Sequence, residues 1–379
     1  MVFSRVLTIG ILTSTTIALT LRHIHFKPTS LRRSTLMSQF ASYQTAASSD
    51  PVRRLPRVLS IQSHTVHGYV GNKASTLPLQ CLGYHVDAVN TVTLSNHPGY
   101  GGGAKGKSLD EDSFKEIMDG LEANDLLQYD VVLSGYMRSD KVMISAAEYI
   151  RNMRKVKPNM FYVCDPVLGD NGRFYVPSEL RDVYLQHLIP QATVITPNQF
   201  EAETLTGIKI DSILTAQQAC LKFHALGVPI CILKGIQLPD NLYAILISIS
   251  SPFSFHGVEI MPDSLQNSFF QINVNQISSR TFSGCGDLFS SLTAGMLYQA
   301  MGTCTNPGEQ ELEHDVCASM ERVVATMSHV LSTTQLMESK ELCIVESIDT
   351  FRGLRPAVFN DAIVSEYPQI SAGILLSLV

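Results

Sequence analysis

The chain has 379 residues, 45% hydrophobic and 16% charged, which suits one large α/β domain or two smaller ones and excludes wholesale disorder. A net charge of −6, with no basic stripe in the body of the chain, argues against a nucleic-acid binder. The eight cysteines form no C-x-x-C pair and mostly lie in apolar runs, so they read as buried thiols in a reducing compartment. Cys304, His314 and Cys317 fit no zinc spacing.

Residues 1–49 carry Arg5, Arg22, Lys27, Arg32 and Arg33 but no acid, and are rich in Ser and Thr. Their apolar run, Val6–Leu21, is shorter than the ~20 residues that span a bilayer. The composition suggests an organellar, mitochondrial-type presequence. A secretory signal, a short membrane anchor or a start at Met37 are alternatives. Membrane contact is expected only if this stretch is retained, and otherwise a cytoplasmic protein. Residues 1–56 are therefore set apart as an extension.

From Arg57 the pattern alternates. "RVLSI" (57–61) reads as a buried strand, 71–83 as a helix closed by Gly83, and 84–94 as a strand. A capping residue and early acids make 108–125 a helix. Then follow strand 129–136, helix 140–155, strand 160–167, helix 178–190 and strand 192–198. A short helix, 199–207, ends at Gly207. Helix 215–227 leads into strand 229–235. Residues 236–280 read as less regular strands and loops. A buried helix follows Asp287, and a longer one covers 315–337. This alternation implies βαβ units: one α/β domain over 57–352, with a mostly parallel central sheet, helices on both faces, and a tail over 353–379. Ligands of such sheets bind beyond the carboxyl ends of the strands. Polar loops follow the strand ends here: "QSHTVHG", "SNHPGY", "SGYMRSD", "CDPVLGD", "TPNQFE" and "KG".

Four stretches carry candidate chemistry. "SGCGD" puts Gly284, Cys285 and Gly286 before Asp287 at a helix start. Such N–H groups lack intrahelical partners and bind anions, and the acid beside them could take a proton from an attacking hydroxyl. An ordinary Asp N-cap is the competing reading. Asp165 and Asp170 in "CDPVLGD" suit magnesium–phosphate contacts, or simply a turn. Asn198 and Glu201 could hold magnesium-bound water or form a capping box. "GGGAKGKS" (101–108) satisfies G-x-x-x-x-G-K-[ST] literally, with Lys107 in the lysine position. A P-loop should leave its strand directly, whereas "SNHPGY" intervenes after Leu94, so a glycine-rich lid is the preferred reading.

Together and in this order, "VLSIQSHTVHGYVGNKA", "DAVNTVTLSNHPGYG", "SGY", "YVCDPVLGDNGRFYVP", "ITPNQFEAETLTG", "SGCGDLF" and "ELCIVES" resemble pyridoxal kinase, of the ribokinase-like superfamily, over about three hundred residues. The resemblance implies a three-layer α/β/α fold. It implies transfer of the ATP γ-phosphate, with Mg2+, to the 5′-hydroxymethyl of pyridoxal, pyridoxine or pyridoxamine. It implies Asp287 as base, Gly284–Gly286 as anion hole, and Ser63, Leu94, His97, Pro98 and Tyr136 around the vitamer. It implies Asp165, Tyr175, Asn198, Glu201, Lys234, Gly235 and Cys285 around ATP, and Asp165 and Glu201 near the metal. Asp170 and Thr196 fall near a monovalent cation, K+ or Na+, and the family is usually a homodimer.

Four departures stand out. Leu94 replaces an aromatic that packs on the pyridine ring, and Pro98 replaces a threonine and removes a backbone donor. Cys285 replaces a threonine, and a thiol is a weak donor. "LKG" at 233–235 stands where animal members have Thr-Ser. The chain has no tryptophan, so the lid lacks the family's usual one. A hydroxymethylpyrimidine-type kinase, a non-catalytic B6-vitamer carrier and a P-loop switch around Lys107 are the alternatives.

Overall fold

The structure, a computed structural model, describes residues 54–238, 243–250, 267–274, 282–303 and 309–353, and the backbone of three short strands at 253–255, 258–260 and 364–366. Residues 1–53 of the expected N-terminal extension, most of the expected tail and Cys304 lie outside the described residues.

Each strand of the centre is apolar on both faces. In β4 (Val131–Ser134), Val131 and Leu133 face one core while Val132 faces the other. In β5 (Phe161–Cys164), Phe161 and Val163 oppose Tyr162 and Cys164. Such strands need helices on both sides. With β1 (Arg57–Thr65), β2 (His85–Leu94), β8 (Val194–Ile195) and β9 (Ile230–Gln237), they form six parallel strands in the order β2-β1-β4-β5-β8-β9. The order reverses between β1 and β4, which places a crevice there.

Antiparallel strands close both edges. The three residues of β3 (Gly106–Ser108) fold back on β2. β10 (Tyr243–Ile249), β13 (Ser268–Val274) and β14 (Val364–Glu366) extend the β9 side. Two small hairpins, β6–β7 (Gly169–Asp170 with Arg173–Phe174) and β11–β12 (Phe253–Phe255 with Val258–Ile260), stand outside the main sheet.

One face carries α1 (Asn72–Cys81), α7 (Cys285–Thr303) and α8 (Glu309–Leu336). The other carries α2 (Glu111–Ala123), α3 (Asp140–Val156), α4 (Leu180–Val183), α5 (Gln199–Thr206) and α6 (Ile213–Ala225). Caps set the starts: Asp110 for α2, Ser139 for α3, and capping boxes Asn198/Glu201 and Ser212/Thr215 for α5 and α6. Each such cap is worth about 1 kcal/mol. α7 is buried almost throughout and packs on α1, β4 and β5, so its N-terminus points at the middle of the sheet's ligand edge.

Several expectations are corrected. The helix expected over 178–190 is three short pieces: α4, a π turn at Tyr184–Leu188 and a 3-10 turn at Ile189–Gln191 containing Pro190, which lacks the donor an α-helix needs. The strand over 192–198 contributes two ladder residues, because Pro197 cannot donate. The helix over 315–337 begins earlier, at Glu309. The 236–280 region completes the sheet.

The P-loop match is also resolved. Lys107 sits exposed in β3, paired with Thr93, so Gly106–Ser108 is strand rather than the first turn of a helix, and α2 starts only at Glu111. Lys107→Ala is therefore expected to leave nucleotide affinity unchanged within twofold in an equilibrium titration; a large loss would reinstate the P-loop reading.

Candidate active site

The ligand edge begins at β1. Thr91 and Val92 of β2 lie opposite the single residue Ser63, a bulge that interrupts the β1–β2 ladder. After Thr65 the chain loops through Tyr69 and Gly71 into α1. This loop meets the start of α7. Gly284, at φ +86°, lies so close to the Tyr69 carbonyl that a Cβ there would come within 1.9 Å of its oxygen. Any side chain at 284 is thus excluded by contact as well as by φ.

That approach delivers Asp287. Its Oδ2 accepts from the Gly71 N–H at 2.8 Å, and its carbonyl accepts from Ser75 Oγ at 3.3 Å. The first intrahelical bond of α7 runs from Leu288 N–H to the Gly284 carbonyl at 2.9 Å. The N–H groups of Cys285, Gly286 and Asp287 therefore have no carbonyl of their own helix to bond, beneath a nineteen-residue helix dipole. Burial raises the Asp287 pKa to about 6, the Gly71 N–H opposes this, Asp165 adds to it, and Lys234 opposes it. Burial and the Asp287 charge push the Cys285 thiol up to about 12, so it stays neutral.

A second cluster lies beside it. Lys234 Nζ donates to Asp165 Oδ1 at 2.8 Å, and Ser290 Oγ donates to Asp165 Oδ2 at 2.8 Å. Thr196 Oγ1 joins Ser290 Oγ at 2.9 Å. A Cβ on Gly286 would lie 3.5 Å from Lys234 Nζ, so the ammonium faces the turn of α7 that carries Asp287. A bulge places both Lys234 and Gly235 opposite Ile245, and so re-aims Lys234.

Glu201 is fully enclosed. Its Oε1 accepts from Leu168 N–H at 3.1 Å and its Oε2 from Asn198 N–H at 2.8 Å. Asn198 returns the contact through Oδ1 to Glu201 N–H and donates Nδ2–H to the Gly169 carbonyl. Both residues thus form the capping box that the sequence left as an alternative. Burial, then Asp165, raise the Glu201 pKa to about 8, against Lys234 and the two N–H donors. Burial opposes the charge on Lys234, but Asp165 and Glu201 outweigh it and raise its pKa.

Three carboxylates thus face one ammonium. The raised values at Asp287 and Glu201 come first from burial, with Asp165 adding to both and Lys234 opposing both. Among the described residues, no group of three or more His, Cys, Asp or Glu could hold a metal unaided.

The remaining expected residues fall into separate groups. Tyr136 follows β4, half-buried, and its hydroxyl reaches the Tyr175 carbonyl at 3.5 Å. Tyr175 itself is exposed. Asp170 caps its own turn through Asn171 N–H, while Thr196 bonds Ser290, so the two engage different partners. Leu94 ends β2, Pro98 is exposed, and His97 turns toward Ser283 and Glu341. Sequence reasoning missed the Gly71 N–H, Ser290 and Glu341. Ser290, three residues after Asp287 on one helix, was the findable one.

Removing the Asp287 charge gives a test of this burial. Its folded pKa, about 6, exceeds the ordinary 3.8, so the unfolded chain loses this proton first and wild-type stability falls as pH rises between them. The thermal midpoint of Asp287→Asn should exceed that of wild type above pH ~6, with the gap shrinking as pH falls toward ~4. A gap that is constant over that range would show that Asp287 is not strained by burial.

Comparisons with known proteins bear on the family of the chain. A family model described as phosphomethylpyrimidine kinase matches residues 80–305. The pyridoxal kinase of Arabidopsis thaliana is 45% identical over 239 residues, 63% of this chain and 73% of that protein. The Homo sapiens pyridoxal kinase is 35% identical over 285 residues, 73% of this chain and 85% of that one. The structure of pyridoxal kinase from Leishmania donovani in complex with ADP and pyridoxine superposes with a TM-score of 0.70 at 30% identity, covering 82% of this chain and 99% of that chain. Its complex with ADP and pyridoxamine gives 0.69 at 31%, with the same coverage.

Proposed function

The chain belongs to the pyridoxal kinase family, and from that premise we propose that Asp287 is the base and the start of α7 the anion hole of its phosphoryl transfer. The protein is an ATP-dependent kinase that phosphorylates the 5′-hydroxymethyl of pyridoxal, pyridoxine or pyridoxamine. The observation that carries the site assignment is the Asp287 carboxylate, held by the Gly71 N–H beside the first amides of α7, which have no carbonyl of their own helix to bond.

One oxygen of Asp287 is fixed by Gly71, which orients the other toward an attacking hydroxyl. A pKa near 6 keeps the group ionised at neutral pH yet basic enough to take a proton in the transition state. The amides of Cys285, Gly286 and Asp287 and the Lys234 ammonium stabilise the charge on the transferring phosphoryl without reorganising. Ser63, Leu94, His97, Pro98 and Tyr136 form the vitamer side. Asp165, Tyr175, Asn198, Glu201, Lys234 and Gly235 form the nucleotide side.

Mg2+ fits the excess carboxylate charge. Asp165 and Glu201 would hold it through its waters, and when bound it neutralises phosphate charge. We assign no role to K+ or Na+, because Asp170 and Thr196 engage different partners. A homodimer and a cytoplasmic location belong to this reading on the family resemblance and the thiol-rich composition. Over the hydroxymethylpyrimidine-type and carrier alternatives, this reading is supported by the relatives, which are pyridoxal kinases.

The test is transfer from ATP–Mg to pyridoxal by the full chain. Asp287→Asn should lower kcat by roughly 10²–10⁴-fold while leaving pyridoxal affinity within a few-fold. The wild-type rate should rise with pH through about 6 and then level. An Asp287→Asn protein that retains the wild-type rate would remove the assignment.

Cys285→Thr restores a hydroxyl donor at the anion hole. It should raise kcat by roughly three- to tenfold, the range of one ordinary hydrogen bond. No gain in steady-state rate would mean that the side chain at 285 does not touch the phosphoryl.

A further inference from the structure

One stretch of the family signature takes no part in the mechanism above: "ELCIVES", which begins at Glu341. Its backbone is fixed before its side chain is considered. Leu342, Cys343 and Ile344 are buried, Cys343 N–H donates to Thr334 Oγ1 at 3.0 Å, and Ser339 Oγ accepts from the Glu341 N–H at 3.1 Å. The carboxylate that emerges is largely buried, with its side chain 12% exposed.

It gathers donors from two separate loops. Oε2 accepts from the Tyr69 N–H at 3.1 Å, in the loop between β1 and α1. Oε1 accepts from the Tyr100 hydroxyl at 2.6 Å and lies 3.2 Å from His97 Nε2, both in the 95–105 segment between β2 and β3. The carboxylate also fills the place a side chain at residue 68 would take. A Cβ on Gly68 would lie 2.2 Å from Oε2, and Gly68 has φ +85°.

The histidine extends the chain of contacts. His97 Nδ1 accepts from the Gly99 N–H at 3.1 Å, so a neutral ring carries its proton on Nε2 and donates it to Glu341. Nδ1 also lies 3.2 Å from Ser283 Oγ, whose hydroxyl can donate to it. Ser283 immediately precedes Gly284. Glu341 therefore ties the glycine-rich segment to the β1–α1 loop on one side and, through His97, to the approach to the anion hole on the other.

We propose that Glu341 is a positioning residue that latches the 95–105 segment over the vitamer side of the site and holds His97 against Ser283. This rests on the kinase reading above for its effect on turnover, and on geometry alone for the latch itself. Hydrogen bonds to an ionised carboxylate are the stronger kind, and this one serves three donors at once. Its loss frees the segment without touching Asp287, Lys234 or the amides of α7. The signature is weaker substrate capture with the chemical step retained.

The experiment compares the full-length wild type, Glu341→Gln, Tyr100→Phe and the double variant. Backbone hydrogen exchange of 95–105, followed by mass spectrometry without substrate, should be about tenfold faster in Glu341→Gln, the loss of one charge-assisted bond. Tyr100→Phe should move exchange in the same direction, and the double variant should fall short of the sum of the two. In steady state, KM for pyridoxal should rise about tenfold with kcat within about threefold. Tyr100→Phe covers the case in which Glu341→Gln fails to fold, since it deletes one hydroxyl and leaves the Glu341 turn intact. Unchanged exchange of the segment in both single variants, or strictly additive effects, would overturn the latch. A fall in kcat with KM unchanged would assign Glu341 a purely structural role. If the wild type makes no pyridoxal 5′-phosphate, the kinase reading fails while the exchange data still decide the latch.

Discussion

The structure turns on a backbone contact between two loops far apart in sequence: the Tyr69 carbonyl against Gly284, with the Gly71 N–H donating to Asp287. The proposed base is placed by it. The start of α7 cannot approach the β1–α1 loop unless position 284 lacks a side chain and takes a left-handed φ. Without that approach Asp287 has no fixed oxygen, and the amides of α7 face open solvent instead of a site. Gly284 is thus explained by packing alone, before any ligand is considered.

The parallel sheet gives this contact its surroundings. Read across the strand order β9-β8-β5-β4-β1-β2, the ligand edge carries Lys234, Thr196 with Asn198, Asp165, Tyr136, Ser63 and Leu94 in turn. The proposed nucleotide residues lie on one half and the vitamer residues on the other. α7 packs over β4 and β5, between the halves. Two ladder irregularities fall on this edge, opposite Ser63 and at Lys234–Gly235. Bulges interrupt pairing and turn a side chain out of the pleat, which is what a residue at a binding edge requires.

Much of this was legible in the sequence because it is local. Apolar runs marked β4 and β5, and a capping residue such as Asn198 marked a helix start. Asp287 was legible because glycines, an acid and an apolar helix occur together. What stayed hidden depends on distance in the chain. The Gly71 N–H is an ordinary backbone group until the fold sets it against Asp287. Glu341 lies 241 residues from Tyr100, and no periodicity connects them. The break at 184–191 was missed for a different reason: Pro190 lies near the end of an otherwise good helical pattern, where proline's missing donor can be met by a tighter turn. The literal P-loop match could be set aside from the sequence because a motif specifies residues, and its meaning needs a strand directly before it and a helix directly after it.

The charge balance of the site is uneven. Asp165 is satisfied by Lys234 and Ser290, so one carboxylate and the ammonium form a closed pair. Glu201 and Asp287 remain, each buried and each bonded mainly through backbone N–H groups. Hydrogen bonds to the ionised form lower a carboxylate's pKa, yet both values are raised, so burial outweighs the N–H donors here. A site strained in this direction is relieved by incoming positive charge and worsened by incoming negative charge. Nucleotide phosphates alone would meet repulsion from Asp287. Phosphates accompanied by a divalent cation would not. The proposed use of a metal–nucleotide complex rests on this balance, in which Lys234 is already paired with Asp165.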